Sequence, residues 1–144
     1  MPQASRTDAT HAASRPAGTA AIFRAVNWAM AGLFGLAAVL QYNDPDPGRW
    51  IAIYAAAMLL AAHVGYRGAV PVVAPLLLAT VAFAWAVAWW ADVPEFSAYG
   101  QMFDGWRMRN PVVEEARETG GLLIVAGWMA VLVLHGRRAR SRLK

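Results

Sequence analysis

The sequence predicts an all-α membrane protein, an antiparallel four-helix transmembrane bundle. Three observations carry this. Hydrophobic residues make up 58% of the 144 and charged residues 15%, where a soluble domain carries about 25% charged. The apolar residues are gathered into four long blocks, each near the ~20 residues that cross a hydrocarbon core. The basic residues flank those blocks and crowd the two ends of the chain, the pattern by which membrane proteins are oriented. A chain of this length has room for one domain. With no cysteine, disulfide frameworks and thiolate chemistry are excluded.

Residues 1–21 are rich in Ala, Ser, Thr and Pro with no apolar period, and read as a disordered cytoplasmic tail. A transmembrane domain is expected over 22–136, with helices at about 24–41, 49–66, 70–91 and 111–135, followed by a basic cytoplasmic tail at 137–144. The first block ends at Gln41-Tyr42-Asn43-Asp44, the second at Arg67 and the third at Asp92. The fourth is lengthened by Asn110-Pro111, a helix start with Asn as cap and Pro at the first helical position. The Gly120-Gly121 pair is the one weak point in that helix. Its first turns, with Glu114, Glu115, Arg117 and Glu118, are expected in or near the interface. Cleavage of the first block as a signal peptide is disfavoured, because its leader is long and no small-x-small site follows.

Orientation follows from the basic residues. Four crossings put both termini on one side, with Arg6, Arg15, Arg24, Arg67, Arg137, Arg138, Arg140, Arg142 and Lys144, nine in all. The other side has four, Arg49, Arg107, Arg109 and Arg117. The nine belong in the cytoplasm. Twelve of thirteen basic residues are Arg, and alanine is abundant; this bias points to a GC-rich genome and a bacterial inner membrane. The loop from Asp92 to Thr119 then faces outward, and its Phe96, Tyr99, Phe103 and Trp106 read as an interfacial segment.

Two segments have the residues for chemistry. In Gln41-Tyr42-Asn43-Asp44-Pro45-Asp46-Pro47-Gly48-Arg49-Trp50 two prolines stiffen the backbone around two carboxylates. That suits an oxygen-rich site, but capping explains it as well: Asp44-Pro45 and Asp46-Pro47 are both good helix starts, and Asn43 tolerates a left-handed turn at the end of the first helix. In Glu114-Glu115-Ala116-Arg117-Glu118 the first and last acids share a helix face and repel, so Arg117, Arg49 or a bound cation should lie between them. Alone, these acids are a solvated helix start. Together, Gln41, Asn43, Asp44, Asp46, Arg49, Glu114, Arg117 and Glu118 fall on the outward side as one polar cluster, fit for a hard cation or an internal salt-bridge network.

Within the membrane, Asn27 and His63 are polar and costly in lipid; helix–helix bonding accounts for them more simply than a proton relay, which needs a continuous chain of such groups. Trp89 and Trp90 read as an outer aromatic belt, not a stacking platform. The C-terminal arginine run reads as a topology anchor and a contact for anionic lipid. There is no Gly-rich phosphate loop, no metal-spaced His pair and no nucleophile with a base at a recognisable spacing.

Three stretches resemble the transmembrane protein 220 family: Arg24-Ala25-Val26-Asn27; Gln41-Tyr42-Asn43-Asp44-Pro45-Asp46 with Trp50 and Tyr54; and Glu114-Glu115-Ala116-Arg117-Glu118 with Gly121-Leu122 and Trp128. They run from Arg24 to about Leu134 and leave out the N-terminal tail and the Phe96–Arg109 loop. The resemblance implies a small multipass membrane protein and supplies no substrate.

The residues leave two main readings open. One is a non-catalytic accessory or scaffold protein, with the two motifs locking the outer end of the bundle. The alternative is a protein that binds or transports a cation or small polar ligand on the outward carboxylates, which in so small a bundle requires an oligomer. An enzyme using Asp44 or Glu118 as acid or base ranks behind both, for want of a neighbouring nucleophile or metal. The expected partners are the lipid bilayer and either another membrane protein or further copies of the chain; nucleic acid is not among them. No cofactor is named by these residues, and whether a metal ion joins the acids stays open.

Overall fold

A computed structural model describes residues 17–44, 46–90 and 111–141, with side chains placed at 18–44, 46–90 and 116–141. Four helices make up nearly all of it: α1 over Ala17–Leu40, α2 over Pro47–Arg67, α3 over Val73–Trp90 and α4 over Pro111–Ser141. All four contain a stretch long and apolar enough to cross a membrane. α2 has 21 residues and α3 has 18, lengths of about 32 and 27 Å at 1.5 Å per residue. That matches a hydrocarbon core of about 30 Å. α4, with 31 residues, is about 46 Å long, so it projects beyond that core.

Side-chain contacts establish that the helices alternate in direction. Arg24, early in α1, bonds the carbonyls of Gly65 and Tyr66 at the end of α2. Trp50, early in α2, stacks on Trp85 late in α3. A Cβ on Gly136, late in α4, would touch Val70 and Val72 just before α3. Phe23 of α1 stacks on His135 of α4, ring centroids 3.9 Å apart. One end of the bundle therefore carries the turn between α1 and α2, and the other gathers Arg24, Arg67 and the arginines of α4. α1 packs chiefly on α2 and α3 chiefly on α4, and α2 joins the two pairs.

The interior is built from small residues with a few large ones between them. Ala57 and Ala61 of α2, Ala82 and Ala86 of α3 and Ala126 of α4 are buried. Without a hydrophobic drive between helices in lipid, close backbone approach through such residues is what holds helices together. Phe34, Trp50, Leu122, Met129 and Leu132 fill the remaining space. The buried positions of α4, Ala116, Thr119, Leu122, Val125, Ala126, Met129, Leu132 and Val133, recur every three or four residues, so one stripe faces the bundle.

The helix ends differ from expectation in three places. α1 begins at Ala17, within the stretch read as a tail; Ala17, Ala20 and Ala21 are strong helix formers, and extending a formed helix costs far less than starting one. The rest of that stretch, 1–16, lies outside the described residues. α1 does not end on a left-handed Asn43, since no described residue other than glycine has positive φ. It tightens into a 3-10 turn over Gln41–Asn43, closed by a bond from the Asp44 amide to the Gln41 carbonyl, 3.1 Å. α4 runs unbroken through Gly120-Gly121 and on to Ser141, because arginines suit a helix and favour its C-terminus. Arg142, Lys144 and the loop with Phe96, Tyr99, Phe103 and Trp106 lie outside the described residues.

Candidate functional site

The turn between α1 and α2 is a chain of short-range interactions. Asp44 has extended backbone at φ −69°, ψ 147°, and its carboxylate accepts the Asp46 N–H at 3.0 Å. This is the Asx turn that Asp and Asn favour. Asp46 occupies the cap position of α2, with Pro47 at the first helical position, yet its carboxylate takes no backbone N–H of that helix. It pairs instead with the Arg49 guanidinium at 3.1 Å, one turn on. Gln41 is half-buried and Asn43 exposed.

Arg49 is held from a second side by aromatic rings. Its guanidinium carbon lies 5.4 Å from the Trp50 ring centroid, 5.8 Å from Trp85 and 5.2 Å from Trp89. The rings also pack on one another: Trp50 is stacked on Trp85 at 4.9 Å and meets Trp89 edge to face at 5.8 Å. Trp89 is thus half-buried in an aromatic cluster with Trp50 and Trp85. Its place on α3, one turn from Trp85, aims both rings at α2. Trp90 is 47% exposed. Arg49 ties three things together, the turn through Asp46, α2 through its own backbone, and α3 through the tryptophans. Its side chain is 40% exposed and that of Asp46 is 64% exposed, so the ion pair itself is worth under ~1 kcal/mol. The cation–π contacts add ~0.5–1 kcal/mol at such a site.

One turn deeper, α2 meets α4. Tyr54 is buried, and its hydroxyl occupies the space that a Cβ on Gly121 would take. Glu118, one turn before Gly121, is an electrostatic neighbour of this phenol. Arg117 and Glu118 are half-buried, and both are engaged in interactions. The side chains of Glu114 and Glu115 lie outside the described residues, as does Pro45. Arg49 and Asp46 are therefore brought together, Asp44 is tied to Asp46 through its backbone, and Glu118 is brought to Tyr54. No three His, Asp or Glu side chains among the described residues stand close enough to hold a metal ion.

The two intramembrane polar residues part ways. Asn27 is fully buried; its amide donates to the Phe23 carbonyl of its own helix at 2.8 Å, and its Oδ1 is buried with no hydrogen-bond partner. His63 is exposed on the outside of α2.

The sequence singled out Tyr54 and Gly121 only through the family resemblance, and pointed neither to their contact nor to the part of Trp85 in the cluster nor to Arg24 as a cap. The signals were available for some of these. Arg49 adjoins Trp50, and Trp85 and Trp89 are four apart on one face. Nothing in the sequence says that a tyrosine hydroxyl should fill the space over a glycine 67 positions away.

Residues 33–134 match the family described as Transmembrane family 220, helix. Transmembrane protein 220 of Xenopus laevis is 32% identical over 115 residues, a match covering 75% of this chain and 56% of that relative. The chain thus spans little more than half the length of the relative. No solved structure matches. The turn with its arginine and tryptophans, the Tyr54–Gly121 contact and the whole of α2 and α3 lie within the matched residues, with the end of α1 and most of α4. The chain is a multipass membrane protein in contact with lipid, and it belongs to transmembrane family 220.

Proposed function

We propose that this protein is a non-catalytic accessory or scaffold of the membrane. Its bundle offers a fixed surface to another membrane protein or to further copies of the chain. The observation that most supports this is that the charges of the turn are engaged within the bundle. Asp44 holds the Asp46 amide, Asp46 holds Arg49, and Arg49 rests on three tryptophans. Side chains committed in this way stiffen the junction of α1, α2 and α3. In this reading the turn faces outward and both termini lie in the cytoplasm of a bacterial inner membrane. The distribution of nine basic residues against four supports that orientation.

Native mass spectrometry of the full-length protein, gently extracted from its own membrane, tests the reading. A stable complex with another protein, or with further copies, is the expected result. A discrete bound metal or small molecule that disappears in Asp44→Asn and Glu118→Gln would overturn it, in favour of ligand binding on the carboxylates. A bare monomer in every preparation would overturn it as well.

A further inference from the structure

Among the described residues, the end of the bundle opposite the turn gathers arginines and no carboxylate. Arg67, Arg137, Arg138 and Arg140 are all exposed. From residue 47 to 91 and from 119 to 144 the sequence contains no Asp or Glu, so α2, α3 and the last ~6 turns of α4 supply no carboxylate to neutralise them. The fold then brings two of these arginine groups to one seam. Gly136 is buried, and a Cβ there would lie 3.0 Å from Val72 and 3.2 Å from Val70. Arg137 and Arg138 follow Gly136 directly, and Arg67 precedes Val70 by three residues. Arginines of α2 and α4 thus lie within a few residues of the same contact.

The carbonyls at the end of α2 do not absorb the charge of Arg67. The end of α2 is already closed by Gly68, whose N–H reaches the Val64 carbonyl at 2.8 Å, and by Arg24 on Gly65 and Tyr66. Arg67 is left against the ring of the exposed Tyr66, 5.9 Å away, an amphipathic side chain typical of the membrane boundary. Like charges meeting at a seam repel, and an anion between them removes the repulsion while accepting charge-assisted hydrogen bonds from guanidinium groups.

We infer that this seam binds the phosphate headgroup of an anionic phospholipid, bridging α2 and α4 through Arg67, Arg137 and Arg138. Depth selects the lipid over a soluble anion. α2 is about as long as the hydrocarbon core is thick and ends at Arg67, and the apolar run of α4 ends at Leu134. The guanidinium groups therefore stand at the level of the headgroups. Such headgroups meet this end of the bundle whichever side of the membrane it faces. The inference is independent of the scaffold reading, which concerns the opposite end.

Full-length protein in a neutral detergent is titrated with phosphatidylglycerol and, separately, with phosphatidylcholine and with inorganic phosphate. Melting temperature and the lipid retained in native mass spectra are recorded. Phosphatidylglycerol should be retained and should raise the melting temperature, where phosphatidylcholine and phosphate do neither. One basic residue near an anionic surface contributes about fivefold in affinity, so Arg67→Gln with Arg137→Gln should weaken phosphatidylglycerol binding about thirtyfold. The same two positions as Lys should retain most of it. Equal retention of the two lipids overturns the inference, and so does undiminished binding in the Gln pair. Stabilisation by inorganic phosphate equal to that by phosphatidylglycerol would identify a free-anion site instead. Should the Gln pair fail to fold, the comparison of the two lipids on the natural sequence still decides.

Discussion

Gly121→Ala adds one methyl group at a place where α2 and α4 meet. The new Cβ would overlap the Tyr54 hydroxyl and sit 3.2 Å from the ring carbon that bears it. Tyr54 is 7% exposed, so the ring has nowhere to swing. Overpacking of this kind costs ~1–3 kcal/mol. Alanine favours a helix over glycine by up to ~1 kcal/mol in water, but that gain is muted where the separated helices remain helical in the membrane. The overlap wins, with a net loss of ~1–3 kcal/mol.

Tyr54→Phe in the same background removes the oxygen and leaves the 3.2 Å contact, which a shift of a few tenths of an ångström relieves. The double variant should then recover ~1 kcal/mol or more of the loss, a coupling within the range seen for residues in contact. Gly127→Ala, with nothing within 4 Å of its new Cβ, is the control and should melt no lower than the natural sequence. Thermal unfolding in detergent, followed by tryptophan emission, reads all five proteins, the Tyr54→Phe single variant included. Additive effects of Gly121→Ala and Tyr54→Phe, or a Gly121→Ala protein as stable as the natural one, would refute the contact.

Arg24→Gln should lose ~1.5–3 kcal/mol, because the guanidinium bonds to Gly65 and Tyr66, 2.9 and 3.1 Å, satisfy carbonyls at the end of α2; amide exchange at that end should quicken by a matching factor. Gly68 has φ 68°, the left-handed region that costs an L-residue ~1–2 kcal/mol. Gly68→Ala should therefore lower the melting temperature, and Gly68→Asn should recover part of the loss. Equal stability of the glycine and alanine forms would show that the turn relaxes.

The four crossings were legible because a membrane writes them in composition: each helix needs an unbroken apolar length, whatever it packs against. The start of α2 at Asp46-Pro47 was equally plain, since proline suits the first helical position. For its carboxylate the residues left two roles open, helix cap and salt-bridge partner, and the second is the one observed. Asp46 stands at the cap position but turns to Arg49, because a charged partner one turn away competes with a backbone N–H. The packing of Trp89 on Trp50 was not legible, because periodicity says which face a ring lies on and not which helix lies opposite. The edge-to-face contact with Trp50 comes from α3 running back alongside α2. Asn27 was legible as a buried polar residue, but its bond to Phe23 stays within one helix, where a partner on another was expected. The Tyr54–Gly121 contact depends on the relative rotation of α2 and α4, which no local pattern encodes.

Whether the charges of the turn act on the bundle is tested most directly by melting Arg49→Met in detergent beside Arg49→Lys. Methionine retains the bulk of the arginine stem and removes both the pair with Asp46 and the cation over the tryptophans. Arg49→Met should lose ~1–2 kcal/mol, with an altered tryptophan emission as Trp85 and Trp89 loosen from Trp50. The lysine form should fall between the two, having the charge without the planar guanidinium. An Arg49→Met protein with the melting temperature and emission of the natural sequence would contradict the account, leaving the charged turn without a structural role.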